Sequence, residues 1–142
     1  MSTARVRSEL ITAVANGVRD FVGSRGTVTV NEESGAYFVA VVPRNPRASG
    51  IWIVADEWID IQIGDSIARL ELQYAAVDVD ILTSLVRAVV DGQGFEVRAL
   101  GRVAVTVDVG GGRTLSTEAN VIPFVPLPGW RRWGKKTPMV GY

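Results

Sequence analysis

Trp52, Asp56, Glu57, Trp58, Asp60 and Asp65 crowd into one short stretch of the chain. Three chemistries can use such a group. Two carboxylates can act as the acid and base of glycoside hydrolysis. Asp56, Glu57 and Asp60 can offer oxygen ligands to a hard cation, although their spacing lacks the ordered pattern of a calcium loop. A tryptophan beside acids can anchor a basic partner protein, because Trp is enriched at binding hot spots and the acids supply complementary charge. The chain has no His and no Cys. That removes the usual general base near neutral pH, thiolate nucleophiles, and the commonest zinc ligands. No sugar-cleft signature accompanies the acids, so the binding chemistry is the reading adopted. No catalytic residue, metal or cofactor is assigned. The partner-binding candidates are Trp58, Asp60, Asp56, Glu57, Gln62 and Trp52.

A second constellation is basic and aromatic: Trp130, Arg131, Arg132 and Trp133, followed by Lys135 and Lys136. Interleaved rings and cations can stack bases and neutralise phosphates. The alternative is that this tail docks on the acidic face of its own domain through individually weak ion pairs. Formal net charge is zero, which argues against a generic nucleic-acid partner. The charges are segregated, however. Residues 1–48 hold six basic and four acidic side chains, residues 49–91 two and eight, and residues 92–142 seven and three. The acidic middle can steer a basic partner. Arg44 and Arg47 make the loop at 43–50 basic, but it lacks a glycine-rich phosphate cradle, so it reads as surface. Gly110-Gly111-Gly112 is followed by no Lys-Ser/Thr and no helical pattern, and reads as a β-turn.

These residues need a scaffold. Val6, Leu10, Val14 and Val18 recur every four residues and predict an amphipathic helix over 3–22, capped by Ser2 or Thr3 and ended at Gly23. Its polar face mixes Arg with Glu and Asp, unlike a membrane-surface helix. A hairpin follows, with strands at 27–31 and 36–42 around a turn at 32–35. The second strand is apolar on both faces, which predicts a central position. The stretch from 50 to 72 divides into strands at 51–54, 58–63 and 67–72. Ile59, Ile61 and Ile63 alternate with Trp58, Asp60 and Gln62, so one face is core and the other is outward. Whether Trp58 is exposed there, or is covered by the tail or a helix, is left open by the pattern.

Ile81, Leu82, Leu85, Val86, Val89 and Val90 form a core stripe on a second helix over 77–91, capped by Asp78 or Asp80. Strands at 95–98 and 102–109 are expected around a bulge or kink at Gly101, with a return at 113–118. From about residue 120 the prolines predict an irregular tail, pinned by Phe124, Leu127 and Trp130, that excludes a central strand.

A chain of 142 residues with 47% hydrophobic content, spread in periodic runs, reads as a single folded α+β domain. No apolar run is long enough to span a membrane, and Glu9, Asn16, Arg19 and Asp20 interrupt any signal-peptide core. With no cysteine, a cytoplasmic location is expected.

The sequence DEWIDIQIG, then VDVDILTSLVRAVVDG, a strand pair, and PLPGWRRWG resembles a group of small actinobacterial immunity proteins associated with secreted polymorphic toxins. The resemblance is one of pattern and covers about the last two thirds of the chain. It implies a cytoplasmic antagonist that masks a cognate toxin domain, and it transfers no residue roles. The expectation is a two-layer α+β domain, order α-β5-α-β2, with a mainly antiparallel sheet and both helices on one face. Its function is non-catalytic protein binding. A secretion chaperone or adaptor and a carboxylate-dependent hydrolase are the rivals. Homodimerisation through a sheet edge stays open.

Overall fold

The structure is a computed structural model that describes residues 3–65, 69–120 and 126–142. It is α+β, with two antiparallel sheets and three helices. The first apolar stripe forms α1 (Thr3–Val22), which buries Ile11, Val14, Ala15, Val18 and Val22. The cap proposed at Ser2 lies outside the described residues, and Thr3 is already helical. Gly23 then opens a 3₁₀ turn with φ 55°.

The first sheet is a five-stranded meander in chain order: β1 (Gly26–Glu33), β2 (Ala36–Pro43), β3 (Ile51–Ala55), β4 (Ile59–Ile63) and β5 (Arg69–Leu72). The β1–β2 turn has two residues, Ser34 and Gly35, both at positive φ, and this fixes the pairing of Glu33 with Ala36. β4 starts at Ile59, not at residue 58. Ala55 pairs with Ile59, and the Asp56 N–H donates to the Trp58 carbonyl, so Trp58 belongs to the three-residue turn. The two-residue alternation runs on through Trp58, but the hydrogen-bonded ladder stops before it. The expected start of β5 at 67 falls outside the described residues.

α2 (Ala76–Val90) follows. Neither Asp78 nor Asp80 is its cap: Ala75 holds that position without a side-chain bond. The Asp78 carboxylate reaches back instead to accept the N–H of Gln73 at 3.0 Å, which ties the entering chain to the first turn.

After α2 the strands expected at 95–98, 102–109 and 113–118 all form, one more than the order α-β5-α-β2 counts, and a fourth follows in the tail. β6 (Gly94–Ala99), β7 (Arg102–Gly110), β8 (Arg113–Asn120) and β9 (Lys135–Pro138) make a second sheet, ordered β8-β7-β6-β9. Gly101 is no kink. It sits at φ 72° in the two-residue turn that pairs Ala99 with Arg102. The triple glycine makes the next turn, with a bulge between Asp108 and Gly110. The tail is not irregular throughout: α3 (Trp130–Trp133) is one helical turn, and β9 adds to the free edge of β6. Pro138 is tolerated because β9 is an edge strand and Pro138 closes it. Residues 121–125, which include the proposed anchor Phe124, lie outside the described residues.

The main core joins α1, α2, the inward faces of β2, β3 and β4, and Val105 and Val107 of β7. Ile51, Ile53, Ile59 and Ile61 are fully buried there. Each such side chain adds about 1.5–3 kcal/mol of burial free energy. A smaller cluster on the other side of the second sheet holds Val97, Ala104 and Trp130, with Phe95, Ala99 and Leu127 against it.

Candidate functional site

Strand register decides which side chains share the outward face of the first sheet. Phe38 stands opposite Asn31 and Val54, and Val54 opposite Asp60, which faces Glu71. One row along, Ala40 pairs with Trp52, Trp52 with Gln62, and Gln62 with Arg69. Phe38, Val42 and Trp52 are 39%, 47% and 41% exposed. Their neighbours Val39, Val41, Ile51 and Ile53 point the other way and are buried. Large apolar side chains grouped on one open face mark an interaction surface more often than plain surface does.

The face is polar at its margins. Asp60 and Glu71 lie together on β4 and β5, Glu33 stands at the tip of the first hairpin, and Arg69 is the cation of the set. At the other end Trp52 leans over Gly50, where a Cβ would fall 2.9 Å from its ring. Glycine lets the indole lie close to the backbone.

The six expected partner-binding residues therefore divide. Trp52, Asp60 and Gln62 share the outward face. Glu57 and Trp58 stand in the exposed turn at its end, and Trp58 is 49% exposed, so that no described tail or helix residue buries it. Asp56, although exposed, is engaged by the chain's own residues. Its carboxylate lies 3.5 Å from the Arg7 guanidinium of α1, and its carbonyl accepts the Tyr74 hydroxyl at 2.7 Å. Arg7 also stacks over the Tyr74 ring at 5.2 Å. Burial raises the pKa of Tyr74, Arg7 lowers it, and Asp56 raises it again. Among the described residues, no group of three carboxylates is placed to hold a metal ion.

Sequence reasoning passed over Phe38, Val42 and Val54. The signal is present, since β2 is apolar on both faces, but that pattern predicts only a central position in the sheet and not an open face. β2 is indeed an interior strand of its sheet. Its second face, however, carries no packed layer over Phe38 or Val42 among the described residues.

The tail docks elsewhere. Trp130, 7% exposed, packs on Val97 and Ala104 of the second sheet. Arg131 reaches Glu118 at 3.8 Å and Thr106 at 3.5 Å, and also bonds Ser116. Lys136 lies 4.0 Å over the Phe95 ring. Two members of the basic aromatic run, Trp130 and Arg131, are thus used in holding the tail down. Arg132 and Trp133 remain exposed, with the Trp133 indole N–H donating to the Pro128 carbonyl at 3.2 Å. The acidic aromatic face of the first sheet stays open. No described helix is long and apolar enough to cross a membrane.

Comparison with protein-family models, with characterised proteins and with solved structures finds no match to this chain.

Proposed function

We propose that the chain is a non-catalytic protein-binding module that works through the outward face of its five-stranded sheet. In this reading α1, and behind the same core α2 and β7, back one side of that sheet, which frees the other for a partner. The observation that carries it is the open cluster of Phe38, Val42 and Trp52, left uncovered by a tail that docks on the second sheet. Asp60, Glu71 and Glu57 fit a partner that presents apolar side chains beside Lys or Arg. Charges of this kind act mainly on specificity and association rate, while the aromatic anchors supply affinity.

The partner we favour is a folded toxin domain, with this chain as its cytoplasmic immunity protein. The pattern resemblance of the central stretch and the tail supports that choice. The test is to identify the gene beside that of this chain, mix the purified chain with any toxin domain it encodes, and measure affinity by calorimetry and residual toxin activity. A complex that silences the toxin, and that weakens in Trp52→Ala and Asp60→Lys, is the expected result. Binding of a short peptide from an exported protein, with no binding of the folded domain, overturns immunity in favour of a secretion chaperone. Turnover in a hydrolase screen that is lost on replacing Asp56, Glu57 and Asp60 together by Ala overturns the binding reading itself.

A further inference from the structure

A second site lies on the other side of Trp52. A cleft of about 540 Å³ opens between the 43–50 loop and the inward-facing side of the β6–β9 edge. It continues, through the shared residues Arg47, Ser49, Glu96 and Arg98, into a second hollow of about 430 Å³ that reaches Gly50 and Trp52. Three cations line the deeper part: Arg47, Arg98 and Lys135.

Their arrangement is electrostatically costly as it stands. Arg98 and Lys135 are directly opposite each other in the antiparallel β6–β9 pair, and so share one face at cross-strand distance. Like charges in that relation destabilise a sheet. The one carboxylate of the deeper cleft, Glu96, accepts only the Nε–H of Arg98. The two terminal nitrogens of Arg98, and the side-chain cations of Arg47 and Lys135, have no hydrogen-bond or ionic partner among the described residues. Ser49 and Thr137 add hydroxyls to the same wall, and Ile63 and Met139 add apolar surface. Asp65 lines the second hollow, with Trp52, and with Arg98 it also borders a further cavity along residues 99–103. A site with unspent cations at one end and an indole at the other suits an anion that carries a flat or apolar body.

We propose that this cleft binds a small phosphate ester, with the phosphate held by Arg47, Arg98 and Lys135 and the organic body extending toward Trp52. Arginine forks and a lysine point charge are the usual protein ligands of phosphate, and each charge-assisted hydrogen bond is about twice as strong as a neutral one. The bound phosphate separates the positive charges of Arg98 and Lys135, so binding also stabilises the β6–β9 edge and the tail that supplies it.

The test uses the whole chain with adenosine 5′-monophosphate, pyrophosphate and adenosine as probes, read by amide chemical shifts and by tryptophan fluorescence. Saturable binding of the monophosphate is expected, with weaker binding of pyrophosphate and none of adenosine. Amide shifts should centre on residues 47–52, 96–98 and 135–137. Arg47→Ala and Lys135→Ala should each weaken it by about tenfold, the loss of one charge-assisted contact. Trp52→Ala should weaken the monophosphate but not pyrophosphate. Lys135→Arg keeps the charge and should retain binding, which separates loss of a ligand from damage to β9. Absence of saturable binding by either phosphate at about 10 mM, a Kd too weak for three converging cations, overturns the proposal. So does binding that survives in the folded Arg47→Ala/Lys135→Ala double variant. Pyrophosphate binding as tight as the ester overturns the role given to Trp52 and the organic body.

Discussion

The indole of Trp52 lies against the backbone of Gly50, so closely that a Cβ at residue 50 would sit 2.9 Å from it. One ring thereby borders two surfaces, the outward sheet face and the cleft beneath the 43–50 loop. Gly50→Ala should push the indole outward, shift tryptophan emission, and weaken partner binding while the chain stays folded. An unchanged spectrum would show that the ring has room to spare.

The open face makes a sharper prediction. Phe38→Asp, Trp52→Ala and Trp58→Ala should each cost about 2 kcal/mol of partner affinity, roughly thirtyfold, if they act as anchors. Val42→Thr, at the margin, should cost less. Thermal midpoints should hardly move, because none of these side chains belongs to the buried core. A fall in stability that matches the fall in affinity would place these residues in folding instead.

Arg7 and Asp56 should respond unequally. The Arg7 side chain is 19% exposed and the Asp56 side chain 64%. Asp56→Asn should cost under about 1 kcal/mol, as exposed ion pairs do. Arg7→Ala also loses the stack on Tyr74 and the packing of its stem, so it should cost about 1–2 kcal/mol more. Chemical denaturation of the two variants, together with the double variant, measures both terms.

Alkaline pH should unfold the chain through Tyr142. Burial raises the pKa of that phenol well above its ordinary value of 10.0. The unfolded chain then releases the Tyr142 proton near pH 10 while the folded chain holds it. Stability from this group is complete below pH 10 and falls as pH rises beyond it. Tyr142→Phe should flatten the decline between about pH 9.5 and 11, the range around the unperturbed phenol value, as followed by urea midpoints. A decline identical to that of the parent chain would remove Tyr142 from the account.

Trp130 should govern the tail. Trp130→Ala should destabilise the chain by about 3–5 kcal/mol, or release residues 126–138 to proteolysis while the main core survives. Arg132→Ala, exposed and unused in docking, should do neither. Equal protease resistance in both variants would show that β9 alone retains the tail.

Some of this was legible in the sequence because it depends on near neighbours. The apolar residues recurring every four along α1 and the stripe of α2 specify helices with one buried face, although Val6 at the start of the first is exposed. The alternation of Ile59, Ile61 and Ile63 with Asp60 and Gln62 specifies a strand and its two sides. Turn chemistry at Ser34-Gly35 and Gly111-Gly112 places hairpins. Where reading failed, a partner distant in the chain decided the matter. β9 exists because the β6 edge was open to it, Trp58 left its strand because the ladder closes at Ile59, and Asp56 is held by Arg7.

The same division applies to the site. The sequence alone determined that Trp52, Asp60 and Gln62 share one side of a strand, because side-chain direction alternates with a period of two wherever a strand forms. It also determined that Phe38, Ala40 and Val42 share a side. It did not determine that those sides form one face, nor that the face is left open. Register across β2, β3 and β4 joined them, and the docking of Trp130 on Val97 and Ala104 took the tail elsewhere. Alternation is a local consequence of backbone geometry, whereas cover is a competition among surfaces that only the folded chain brings within reach.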